Sequence, residues 1–205
     1  MHTNIARPLL GLTTLLMPFC FASAQMVDDG NRRSAADPKD VADIVARDIG
    51  ISAFAHVGHV ALSDGGGNVI EAVNKKPAIQ ENTLDSFKKE ATYWGAIYYP
   101  DWATLPAVNV PDASTPDKQK SYPAKFAAFQ HAYLVKQIGA SYTLSPIPKP
   151  AQLPACNHCP PRKGQYRCDT FVKEALIFGG VPNLSFDKED MPAKLWNDKR
   201  FELRR

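Results

Sequence analysis

The 205 residues predict an α+β fold in which a small antiparallel sheet packs against helices. Three observations carry that reading. Apolar residues recur at helical spacing in several separate segments, a glycine run at 65–67 turns one extended apolar stretch into another, and the elements alternate without an internal repeat.

The first element to set aside is 1–24. Arg7 forms a short basic region, Leu9 to Phe21 an apolar run, and Ala22-Ser23-Ala24 an A-x-A cleavage site, the pattern of a signal peptide. Bulky Phe19 before Cys20 disfavours lipid attachment there. No later segment is apolar for about 18 residues, so no transmembrane segment is expected. Residues 25–36 are polar and aperiodic, a flexible leader, and the stretch 37–205 is long enough for one domain with its own core. Lys and Arg total 24 against 21 acidic residues and are dispersed, which gives no sign of a nucleic-acid partner.

Asp37-Pro38 offers an N-cap and a proline at the first helical position, and Val41, Ile44, Val45 and Ile49 repeat at helical spacing up to Gly50, which predicts an amphipathic helix. Ile51 to Leu62 and Asn68 to Val73, separated by Ser63-Asp64-Gly65-Gly66-Gly67, predict a hairpin. Asn82 or Thr83 caps a second helix running to about Glu90. Tyr93, Trp94, Tyr98, Tyr99 and Trp102 supply core or groove lining, and residues 103–123, with four prolines, form a surface loop. Ser121 caps a third helix, with Phe126, Phe129, Tyr133 and Val135 on its apolar side and Gly139 at its end. The proline-rich stretch 145–161 is an irregular connection. A fourth helix then starts at Cys168 and ends before Gly179-Gly180, and a short helix spans Met191 to Trp196.

Export leaves Cys156, Cys159 and Cys168, an odd number in an oxidising compartment. The simplest partition joins Cys156 to Cys159 in a tight disulfide loop, a metal site being the alternative, and leaves Cys168 free. A thiolate at a helix N-terminus beside an imidazolium is a nucleophile, and it needs a histidine base oriented by a third polar group. The histidines available are His56, His59, His131 and His158. His56 and His59 differ by an odd number of residues, so a regular strand sends them to opposite faces and only one can meet Cys168. His131, inside the third helix, reads as a partly exposed structural residue.

The stretch Gly58-His59-Val60-Ala61, followed by the glycine turn and Val69-Ile70-Glu71-Ala72, resembles the strand pair of the NlpC/P60 family. In that family the third catalytic residue stands twelve positions after the histidine, where this chain has Glu71. Cys168-Asp169-Thr170-Phe171-Val172 is similar to the start of the family's nucleophile helix. Here the cysteine follows the histidine by about a hundred residues, as in the circularly permuted branch. The match covers about 20 residues in two blocks, and Arg167 stands where standard members carry aspartate.

The resemblance implies a papain-like fold and a cysteine amidase or peptidase acting through Cys168, His59 and Glu71 by way of a thioester. The Cys168 backbone N–H would serve as oxyanion donor, worth about 3 kcal/mol. Arg167, Tyr166 and Trp94 are the candidate substrate-binding residues. Export and resemblance together point to cell-wall peptides, hydrolysed by a periplasmic or extracellular monomer that needs no cofactor or metal. The alternatives are a non-catalytic binding domain of the same fold and a thiol acyltransferase acting on lipid.

Overall fold

The computed structural model describes residues 36–49, 57–112, 118–152 and 160–205. The expected signal peptide, the leader through residue 35, His56 and the Cys156 to Cys159 loop lie outside the described residues. The chain is mixed α+β, built on a six-stranded antiparallel sheet. Strands β1 (Val41–Arg47), β2 (His59–Asp64), β3 (Asn68–Ala72) and β4 (Ile79–Thr83) lead into helix α1 (Leu84–Lys89). Strand β5 (Tyr93–Tyr98) is followed by a short 3-10 turn, a two-stranded hairpin of β6 (Val108–Pro111) and β7 (Gln119–Tyr122), and helix α2 (Ala124–Gln137). The chain closes through β8 (Ser141–Tyr142), β9 (Gln165–Tyr166), α3 (Cys168–Phe178), α4 (Pro192–Trp196) and β10 (Glu202–Leu203). The sheet order is β10-β5-β1-β2-β3-β4.

The segment expected to be the first helix is strand β1, and the reason is where it lies. Paired with both β2 and β5, it is a central strand with all seven residues buried. Ile44 and Ala46 face the large core under α2 and α3, while Val45 faces a smaller core with Ala61, Val69, Ala96 and Phe87. A strand covered on both faces is a continuous apolar run, and periodicity alone cannot separate such a run from a helix. The one interior acid, Asp43, stays buried because Arg204 clamps both its oxygens, at 2.8 and 2.6 Å, where the register slips between Val41 and Ile44.

The expected hairpin is β2 and β3, in register at Leu62 with Ile70. Thr83 caps α1, its hydroxyl accepting from the Ser86 N–H at 3.1 Å. Part of the expected 103–123 loop is instead the β6-β7 hairpin. Helix α2 starts after Pro123 rather than Ser121, and its buried side joins Ala124, Ala127, Ala128 and Ala132 with His131, Leu134 and the expected Val135. Phe126, expected on the apolar side, is among the most exposed large apolar side chains. Alanines let α2 lie close to α3, which the bulkier aromatics would have prevented. No described helix is long and apolar enough to cross a membrane.

Candidate active site

His59 is the first residue of β2, and the residue before it decides how the strand enters. Gly58 has φ +71°, and a Cβ there would lie 2.3 Å from the Trp94 indole. Only glycine allows both the left-handed backbone and the ring packed on it. Trp94 is held by donating its indole N–H to Asp48 at 2.8 Å and lies edge-on to Trp196.

Cross-strand register assembles the polar groups around the imidazole. Arg47 of β1 is the direct partner of His59. Extending the pairing of Leu62 with Ile70 by one residue sets Glu71 opposite Ala61, so His59 and Glu71 are diagonal neighbours on one face. Asn82 of β4 is diagonal to Glu71 in the same way, since Glu71 pairs with Gln80. The result is a row across four strands. His59 Nε2 lies 2.5 Å from Glu71 Oε2, Asn82 Nδ2 donates to Glu71 Oε1 at 2.6 Å, and Arg47 Nη2 is 3.7 Å from Glu71 Oε2 while also ion-paired with Glu90. Phe87 of α1 roofs the row, with its ring 5.8 Å from His59 and 4.7 Å from the Arg47 guanidinium.

Cys168 is the first residue of α3, a free and buried thiol. Arg167 stays extended ahead of it, and its N–H donates to the Thr170 hydroxyl at 2.9 Å, a side-chain cap that fixes the helix start. The Cys168 N–H is therefore one of the first-turn amides without an intrahelical acceptor. Cys168 is close enough to the His59 imidazole to favour its protonated form. With Nε2 committed to Glu71, Nδ1 is the ring nitrogen left for a further partner.

The electrostatics follow from this arrangement. Burial works against charge on His59, but its interactions with Cys168 and then with the Glu71 carboxylate outweigh it, and the pKa rises to about 9. Burial likewise works against the charge on Glu71. His59, Asn82 and Arg47 together overcome it and hold the carboxyl below its ordinary value. At neutral pH the row therefore contains an imidazolium between a carboxylate and a sulfur, an arrangement suited to nucleophilic attack followed by proton delivery.

Of the expected site residues, Cys168, His59 and Glu71 come together, whereas the three expected substrate contacts do structural work. Tyr166 is fully buried, where its hydroxyl accepts from the Ala151 N–H and donates to Glu174 of α3 at 2.8 Å. Trp94 is 2 % exposed and lies beneath Gly58. The Arg167 guanidinium is bonded to both Asp169 oxygens and to the Asp190 carbonyl. Expected to be partly exposed, His131 is instead buried and lies 2.9 Å from Glu174. Sequence reasoning missed Arg47, Asn82 and Phe87, which meet only once β1 and β4 are known to be strands. It also missed Tyr142, set beside Tyr166 by the parallel pairing of β8 with β9. Burial first, and then Cys168, push the Tyr142 hydroxyl up to about 12, so it remains protonated at neutral pH.

Among the described residues, no group of three or more His, Cys, Asp or Glu side chains is placed to hold a metal ion. Cys156, His158 and Cys159 lie outside them. Comparison of the chain with models of known protein families, with curated proteins and with solved structures finds no match.

Proposed function

We propose that this chain is an exported cysteine amidase or peptidase of the permuted NlpC/P60, papain-like kind, acting on amide bonds of cell-wall peptides. One observation carries the reading: a free thiol at the first residue of a helix meets an imidazole that is held 2.5 Å from a buried carboxylate. In the proposed cycle the Cys168 thiolate attacks the amide carbonyl carbon, and the Cys168 N–H steadies the oxyanion. Protonated His59 gives its proton from Nδ1 to the leaving amine, and the C–N bond breaks to leave a thioester. Neutral His59 then takes a proton from water, whose oxygen attacks the thioester, and the acid and the thiolate–imidazolium pair are released. Glu71 holds the ring and its charge throughout, as the third member of such triads does.

Muropeptides incubated with the purified chain test the proposal. The expected result is cleavage with release of a new amine, abolished in Cys168→Ala and reduced at least a hundredfold in His59→Ala. Cleavage that survives Cys168→Ala would defeat the proposal.

A further inference from the structure

One region of the surface is not used by the cysteine site. From Lys118 to Cys168 the chain carries eight Lys or Arg residues and none of its 21 acidic residues. Among the described residues, the exposed large apolar side chains Phe126, Leu144 and Ile147 all belong to this same stretch. Lys125, Lys136 and Arg167 are ion-paired with Asp40, Glu81 and Asp169. Lys149, Arg162 and Lys163 are exposed and have no ion pair among the described residues.

The geometry collects these last three cations around the two aliphatic side chains. The Thr143 N–H donates to the Tyr166 carbonyl at 2.9 Å, and Lys149 exchanges both backbone bonds with Gln165 at 3.1 and 2.9 Å, so the loop between them is pinned at each end to β9. Gln152 and Arg162 exchange bonds at 3.0 and 3.1 Å, which brings Arg162 and its neighbour Lys163 alongside. Leu144 projects from this loop 75 % exposed and Ile147 43 % exposed.

The loop's own amides separate a membrane surface from an aqueous partner. Positions 146, 148 and 150 are proline and have no N–H. The Ser145 N–H is taken by the Thr143 hydroxyl at 3.1 Å, that of Ile147 by the Ser145 hydroxyl at 3.2 Å, and that of Lys149 by Gln165. Every backbone donor from 145 to 150 is therefore absent or satisfied within the protein. Residues 145–150 can leave water without stranding a backbone donor, which suits this part of the loop to a lipid boundary.

We propose that loop 143–149 is a membrane-docking element that seats Leu144 and Ile147 in the headgroup boundary of an anionic lipid surface, with Lys149, Arg162 and Lys163 on the lipid phosphates. Aliphatic tips ringed by cations match that surface, because the charges draw the loop down and the apolar side chains insert. The lysine stems lie along the apolar zone while their ammonium groups stay in the headgroups. The docking does not depend on whether Cys168 is catalytic.

The test is a Leu144→Trp variant of the full chain, titrated with phosphatidylglycerol vesicles, phosphatidylcholine vesicles and soluble heparin. Trp94, Trp102 and Trp196 also emit, so the wild type is titrated in parallel and the shift is taken as the difference between variant and wild type. The expected result is a blue shift with phosphatidylglycerol, quenched by brominated acyl chains and absent with phosphatidylcholine. Neutralising Lys149, Arg162 or Lys163 to Gln should weaken vesicle affinity roughly fivefold each, the ratio expected for one surface cation. Neutralising all three should abolish the shift, and the single variants keep the test readable if the triple variant does not fold. No shift with phosphatidylglycerol, or an equal shift with phosphatidylcholine, overturns the proposal. An equal shift with heparin overturns it in favour of a soluble polyanion.

Discussion

Replacing Glu71 with glutamine removes a charge while keeping the shape of a fully enclosed side chain. Glu71 is 1 % exposed and accepts on both oxygens, from Asn82 at 2.6 Å and from the His59 ring at 2.5 Å. Glutamine can still offer its oxygen to His59 if its amide turns toward Asn82 and the Asn82 amide flips to accept. The hydrogen bonds survive that exchange, and the negative charge does not. A hydrogen bond to a charged partner contributes about 1.5–3 kcal/mol against about 1 for a neutral pair. Arg47, 3.7 Å from Glu71 Oε2 in the wild type, would then repel the imidazolium without the compensating carboxylate.

Both effects have the same sign, so the midpoint of His59 should fall from about 9 toward the ordinary value of 6.5. Ring-carbon NMR titration reads this directly, with the His59 signal identified by its loss in His59→Gln among the five histidines of the chain. Cys168 alkylation at pH 8 should slow by roughly tenfold in the same variant, as expected for about 1.4 kcal/mol of lost charge stabilisation. A His59 midpoint in Glu71→Gln equal to that of the wild type would refute the reasoning, because the carboxylate would then contribute nothing to the ring's charge.

Two further predictions concern stability. Since folding raises the His59 pKa from 6.5 to about 9, its contribution is complete below about 6.5 and is lost as pH rises through about 9. The melting temperature should therefore decline between about pH 7 and pH 10 in the wild type and hold flatter in His59→Gln, as read by differential scanning calorimetry. Gly58→Ala combines a left-handed backbone at φ +71° with a Cβ 2.3 Å from the Trp94 ring, so it should cost at least 2 kcal/mol, on the order of 1 for the backbone and the rest for overpacking. Chemical denaturation checks this, and a loss below about 0.5 kcal/mol would contradict the packing argument.

The parts of the fold legible in the sequence were those with a local chemical signature. The glycine run at 65–67 marks the β2-β3 turn, Thr83 marks the start of α1, and Gly139 and Gly179 mark helix ends. The spacing of twelve between His59 and Glu71 is itself a local signal, because a hairpin converts sequence distance into register. What stayed hidden depends on neighbours distant in sequence. Strand β1 reads as a helix because V-A-D-I-V-A-R is apolar on both sides, and only pairing with β2 and β5 makes it extended. Arg47 and Asn82 could not be joined to the site without the positions of β1 and β4. The buried His131 and Glu174 lie 43 residues apart on two helices, and nothing in either helix alone announces the contact.

The central claim is that Cys168 and His59 act as one nucleophilic unit. Its most direct test is the rate at which iodoacetamide alkylates Cys168 at neutral pH, followed by mass spectrometry of the Cys168 peptide, in wild type against His59→Ala. The predicted result is rapid modification in the wild type and at least a tenfold loss in His59→Ala. A Cys168 that resists alkylation, or one that reacts equally fast without the imidazole, would contradict it.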